Sequence, residues 1–220
     1  MSNQHGCLWE KTMLLVSLLG LATVPAMGQG ISLGFRSGLN SATESVSADT
    51  GIDIKSRTTF HLGGIVSMGI QERFALQIEG IFSEKGFTAT EAGITATFEF
   101  SYLQIPILAK VIVPTPPTSP VTPHFFAGPN FGFEVSCNIT AEGGGGSASV
   151  GCEDTVVQTK GFDFGLLFGG GLSIGKEPVA FLVDVAFDFG LSNIDNTSGS
   201  SETMRNRTFM ASVGLMVPIR

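Results

Sequence analysis

The sequence predicts an all-β chain, an eight-stranded antiparallel up-and-down transmembrane barrel, and three observations carry that prediction. Segments along the chain alternate apolar residues with small, polar or charged ones, the period of a strand whose successive side chains point to opposite faces. Their connections alternate between long and short. The chain is also apolar, with a mean hydropathy of +0.32 and 14% charged residues. Once the N-terminus is set aside, it has no uninterrupted apolar run of the ~18 residues that a spanning helix needs. The segment from Phe162 to Ile174 shows the pattern most clearly. Phe162, Phe164, Leu166, Phe168, Leu172 and Ile174 share one face, and Asp163, Gly165, Gly169, Gly171 and Ser173 share the other. A soluble barrel would turn the greasy face inward, but here the inward candidates are Gly, Ser and charge. The polarity is that of a barrel sitting in lipid.

The first 28 residues read as an export signal. Lys11 supplies a positive charge, Met13 to Val24 an apolar core, and Ala26-Met27-Gly28 small residues for cleavage. The barrel domain then occupies residues 29–220. The apolar core is too short to anchor as a spanning helix, and Cys7 precedes it, unlike a lipidated cysteine. Export to an oxidising compartment suits the other two cysteines. Cys137 and Cys152 flank Gly143-Gly144-Gly145-Gly146 and are a candidate disulfide, worth about 3 kcal/mol in the chain-entropy model. Metal binding by two isolated cysteines is the weaker alternative. No cofactor or metal site is expected.

Taken in order, the first strand runs from Ile31 to Asn40, with Ile31, Leu33, Phe35 and Leu39 outward and Ser32, Gly34, Arg36, Gly38 and Asn40 inward. Ser41 to Arg57 reads as a polar loop. The second strand, Thr58 to Ile70, sends Phe60, Leu62, Val66, Met68 and Ile70 outward. A short turn at Gln71-Glu72-Arg73 leads to the third, Phe74 to Ser83, with Gln77 and Glu79 inward, and a long loop is expected after it. The fourth places Leu103, Ile105, Ile107, Ala109 and Val111 outward and Gln104 and Lys110 inward. Upstream, Phe98, Phe100 and Tyr102 fall out of that phase, so either a bulge resets the register near Tyr102 or the upper part projects above the bilayer. Pro106 demands a local break in the ladder.

Five prolines between Pro114 and Pro123 make a linker to the fifth strand, His124 to Ser136, where Gly128, Asn130, Gly132 and Glu134 oppose an apolar set. After the cysteine-flanked loop comes the strand at Phe162–Ile174, and Gly175-Lys176-Glu177-Pro178 turns the chain into the seventh. There Phe181, Val183, Val185, Phe187 and Phe189 oppose Asp184, Ala186 and Asp188. A polar loop from Asn193 to Asn206 precedes the eighth, Arg207 to Ile219. Long connections at one end and short ones at the other place both ends of the mature chain on the periplasmic side.

These strands resemble the PorT-like outer-membrane β-barrel family of Bacteroidota-type bacteria. The residues that carry the resemblance are Gly38-Leu39-Asn40, Leu76-Gln77-Ile78-Glu79 running to Ser83-Glu84-Lys85-Gly86, Tyr102-Leu103-Gln104-Ile105-Pro106 with Lys110, Ala127-Gly128-Pro129, and Gly190-Leu191-Ser192-Asn193-Ile194. The resemblance spans nearly all of the mature chain and implies a small eight-stranded barrel in a Gram-negative outer membrane. The family is mostly without assigned function; its name-giving member is linked to protein secretion and gliding. The chain departs from the pattern in two places. Gln104 stands where the family leads one to expect Glu, and the end Val217-Pro218-Ile219-Arg220 lacks the aromatic residue that often guides the assembly machinery.

The candidate site is the interior polar set: Arg36, His61, Gln77, Glu79, Gln104, Lys110, Glu134, Asp163, Asp184 and Asp188. Charges inside an apolar element are costly unless paired or wet. One reading is a pairing network that plugs a barrel too narrow for a channel, with Glu79 at its centre. The other is a narrow, cation-preferring conduit lined by excess acid. A lipocalin-type soluble barrel would need an apolar lumen and a polar exterior.

No catalytic residues are assigned. His61 and His124 are the two mature histidines and neither sits in a nucleophile–base motif. Gly170 to Lys176 imitates a phosphate-binding loop, but Glu177 replaces the required hydroxyl residue and a strand follows. Asn138-Ile139-Thr140 matches a glycosylation pattern that carries little weight in a bacterial protein. A net charge of -7 argues against nucleic acid. The expected partners are outer-membrane lipid, the barrel assembly machinery during insertion, and an envelope or extracellular protein met through the loops.

Overall fold

The alternating segments pair into one closed antiparallel ring. The structure, a computed structural model, describes residues 29–46, 53–91, 93–155, 159–175, 178–194 and 204–219. The expected leader therefore lies outside the described residues. Among the described residues there are nine strands: β1 (Gln29–Val46), β2 (Asp53–Gln71), β3 (Phe74–Glu91), β4 (Ile94–Ile112), β5 (Val121–Gly143), β6 (Gly146–Gly151), β7 (Phe162–Ile174), β8 (Ala180–Gly190) and β9 (Met204–Ile219). Each pairs with its chain neighbour, except that β5 pairs with both β6 and β7; β1 pairs with β9, and the β4–β5 contact completes the ring. Eight strands form the barrel, and β6 lies outside it. Closure gives every strand in lipid a hydrogen-bonding neighbour on both sides.

The exterior carries the apolar band that lipid requires. Outward positions run from Phe74 to Phe82 on β3 and from Leu103 to Val111 on β4, close to the ~9–11 residues a tilted strand needs to cross a bilayer. Leu39, Phe125 and Val213 on this face are about 60% exposed, the signature of a surface meant for acyl chains. Above the band the outward residues turn polar at Thr58, Glu84, Ser101, Ser136 and Arg207.

Several strands extend beyond the expected boundaries. The stretch expected as a loop at Ser41 to Arg57 is largely strand, since β1 reaches Val46 and β2 starts at Asp53. The long loop expected after the third strand is instead a tall hairpin, with Glu91 opposite Ile94. The cysteine-flanked loop is also a hairpin. Gly144 and Gly145 have φ of +60° and +86°, both in the left-handed region that a two-residue turn between twisted strands requires. Cys137 and Cys152 are bonded at its base, with Cα atoms 5.4 Å apart.

The irregularity near Tyr102 proves to be a bulge in β5, not in β4. Ser101 faces Ser136 while Tyr102 faces Glu134, so Val135 is the extra residue. Strand β4 keeps one phase throughout, and Phe98, Phe100 and Tyr102 point the same way as Gln104, into the barrel. Pro106 breaks the ladder as its missing N–H requires: β3–β4 pairing stops at Ile78–Ile107 and resumes at Ile81–Gln104.

Candidate functional site

The inward face alternates not only across each strand but also along the barrel axis. Strand β8 shows this most simply: Leu182, Asp184, Ala186 and Asp188 all point inward and are buried. The lumen is built the same way, as charged layers between apolar ones. Nearest the end that holds both strand termini lies an apolar cluster of Ile65, Leu182 and Met216. A first charged layer follows, then an apolar layer of Leu108, Phe126, Leu167, Ala186 and Met210. A second charged layer comes next, and Phe87, Phe100 and Tyr102 cap it.

Arg36 organises the first charged layer. Its Nη2 lies 2.7 Å from Asp184 Oδ2 and 3.5 Å from Glu79 Oε1, and its guanidinium sits 5.7 Å from the Phe126 ring centre. Asp184 Oδ1 is 2.8 Å from His124 Nε2. Gln77 donates to Glu79 through its amide nitrogen and accepts from Lys110 Nζ at 3.3 Å through its oxygen. Gly171 faces Asp184 across the β7–β8 pair, and a Cβ there would collide with the carboxylate and the Val183 carbonyl.

The second charged layer centres on Lys85, whose Nζ is 2.7 Å from Asp188 Oδ2 and 5.2 Å from the centre of the Tyr102 ring. Gln104 donates to the same Asp188 oxygen at 2.9 Å. The amide here does what a Glu could not, since it supplies a donor to an existing carboxylate. Asp163 lies 3.9 Å from Lys85 and accepts from Asn206 at 2.8 Å.

His61 belongs to a third, neutral group beside these layers. Its Nδ1 is 2.7 Å from Asn40 Oδ1. Asn40 also donates to Ser83 Oγ at 3.1 Å and to the Glu84 carbonyl at 2.7 Å. Thr59 donates to that carbonyl as well. The β2–β3 ladder is irregular between Ser56 and His61, so these side chains supply partners where the strands part.

The structure therefore brings Arg36, Gln77, Glu79, Lys110 and Asp184 into one layer and Gln104, Asp163 and Asp188 into the other. Glu134 stands nearer the mouth, half-buried, accepting from Thr159 at 2.8 Å and from the Tyr102 hydroxyl at 3.4 Å. Lys85 and His124 join the interior in addition to the ten residues expected there. Extending the alternation of β3 by one inward step finds Lys85, and counting back from Phe126 on β5 finds His124. Among the described residues, three buried cations (Arg36, Lys85, Lys110) meet four buried carboxylates (Glu79, Asp163, Asp184, Asp188). Each cation has an acid or an amide within reach.

An apolar exterior around a charged, filled interior defines a membrane β-barrel, the reverse of the lipocalin arrangement. Residues 25–196 match the outer membrane protein beta-barrel domain family, and the chain belongs to that family. Its place is the outer membrane. Among solved structures it is similar to Neisserial surface protein A (NspA), with 16% identity and a TM-score of 0.50, covering 87% of this chain and 100% of that one. It is also similar to Ail, the attachment invasion locus protein of Yersinia pestis, with 16% identity and a TM-score of 0.46, covering 86% and 99%. Such identities speak to the fold alone. No curated protein matches the chain.

Proposed function

We propose that this protein is a closed, non-enzymatic barrel that acts through the structure at the end opposite its strand termini, not through its lumen. The observation that carries this reading is the layering. An ion moving along the axis would have to cross two paired charge layers and the packed apolar layers between and around them. An eight-stranded barrel is just wide enough for side chains to fill. Removing one partner of a buried pair leaves an uncompensated charge, so the network is under pressure to stay intact.

The leader at residues 1–28 fits export, with the strand-termini end facing the periplasm and the hairpins facing outward. The motifs shared with PorT-like barrels support placing the chain near that group, without transferring a secretion role to it. Insertion would use the barrel assembly machinery.

A narrow cation-preferring pore is the second reading, favoured by the excess of acids over Lys and Arg among the described inward residues, four fully buried carboxylates and the half-buried Glu134 against three cations. Potassium release from loaded proteoliposomes separates the two. The closed barrel predicts release no faster than from empty vesicles. Rapid release of potassium but not chloride would overturn it.

A further inference from the structure

We propose that the free edge of β6 is a strand-addition site for an extended, basic peptide segment of a partner protein. This deepens the interaction role proposed above and rests on it. The rim of the barrel is uneven: β7 starts at Phe162 and β8 stops at Gly190, while the β3–β4 and β5–β6 hairpins continue past that level. Strand β6 is the last of the resulting wall, with β5 on one side and, among the described residues, no strand on the other.

The hairpin fixes which groups of β6 are free. Gly143 and Gly146 flank a two-residue turn and form its hydrogen-bonded pair, so Gly146, Ala148 and Val150 bond to β5. The N–H and C=O groups of Ser147, Ser149 and Gly151 then point to the open edge. Proteins usually blunt such an edge with Lys, Pro or a bulge. This one is Gly146-Ser147-Ala148-Ser149-Val150-Gly151, small and uncharged, and the disulfide holds it in place.

Its two faces differ. Ile94, Ala141, Ala148 and Val150 make one face apolar, with Ile94 56% and Val150 46% exposed. Thr140, Glu142, Ser147 and Ser149 make the other face polar. An added strand with alternating side chains would match both faces.

Charge selects the occupant. Residues 136–155 carry Glu142, Glu153 and Asp154 and no Lys, Arg or His, so the complementary side chains are basic. A second copy in the same membrane fits poorly. Rotation about the membrane normal keeps the sense of every strand, so two β6 edges would meet parallel, the less stable pairing for two strands.

The test uses the whole mature protein in lipid nanodiscs and a fluorescent octapeptide of alternating Val and Lys, read by anisotropy. We expect saturable binding that Ser149→Ala retains and Ser149→Pro weakens roughly tenfold or more, about 1.4 kcal/mol. Proline there removes an edge donor without removing a bond to β5. The same peptide N-methylated at alternate residues is expected not to bind the native protein, a control that does not depend on how the proline variant folds. Equal binding of the methylated peptide, or of Ser149→Pro in a folded barrel, would show adsorption by charge alone and overturn the proposal. Absence of any binding by the Val-Lys peptide would also overturn it, as would clustering of peptide-free proteoliposomes that Ser149→Pro abolishes, which would make a copy in a facing membrane the occupant. Potassium release is measured on the same protein. A barrel that conducts yet still captures peptide would sink the closed-lumen reading and leave the edge assignment standing.

Discussion

At the scale of single residues, the stability of the lumen depends on which side chains share a charged layer. Asp184 holds both Arg36 and His124, so Asp184→Ala removes the closer of the two acids on a buried guanidinium, leaving Glu79 at 3.5 Å, and takes the acid from His124. The expected loss is about 3–5 kcal/mol, read as a lower urea midpoint for the protein folded in lipid vesicles. A change within experimental error would mean the pair is wet. Gln104→Glu puts a second carboxylate beside Asp188 and removes the amide donor. It should destabilise by about 1.5–3 kcal/mol in the same assay, even though Glu is the residue the family resemblance leads one to expect. A stabilised Glu variant would show that Lys85 has charge to spare. Alternation alone put Arg36, Glu79, Asp184 and Asp188 inside, because each falls on the face opposite the apolar residues of its strand, with Asp184 and Asp188 flanked by apolar residues on both sides. It could not say which acid meets which base, since those pairs join strands far apart in the chain, as Lys85 and Asp188 do.

At the scale of elements, each strand has a lipid face and a lumen face, and they tolerate charge differently. Val185 lies on the outward face of β8, about midway along the apolar run from Phe181 to Phe189. Val185→Arg should cost about 2–4 kcal/mol near the bilayer midplane, measured by urea titration in vesicles. A cost near zero would place Val185 outside the lipid band. The β5–β6 hairpin should behave as an appendage. Replacing Cys137 and Cys152 with Ala should leave the barrel folded, judged by heat-dependent gel mobility, while the hairpin becomes sensitive to protease. Collapse of the whole barrel would show that the bridge supports the ring. The hairpins were the least legible elements. Above the lipid band their outward residues are Thr, Ser and Glu, as at Thr88, Thr90, Thr95 and Thr97, and a search for greasy outward faces reads these as loop. Gly143 to Gly146 looks like a flexible linker until the positive φ of Gly144 and Gly145 makes it a turn.

At the scale of the whole molecule, the sequence pattern and the fold agree because lipid enforces one rule everywhere: apolar side chains out, backbone paired, the rest in. That rule made the eight-strand ring readable. The apolar layers of the lumen were harder to read, since Leu108, Phe126, Leu167 and Met210 break the simple opposition of greasy exterior and polar interior. Those layers are what distinguish a plug from a conduit. Single-channel recording of the mature protein in a planar bilayer, with insertion verified, tests that distinction most directly. The layered lumen predicts a silent baseline at every applied voltage. Steady cation-selective steps that disappear when Asp184 and Asp188 are replaced by Asn would contradict it and make this barrel a pore.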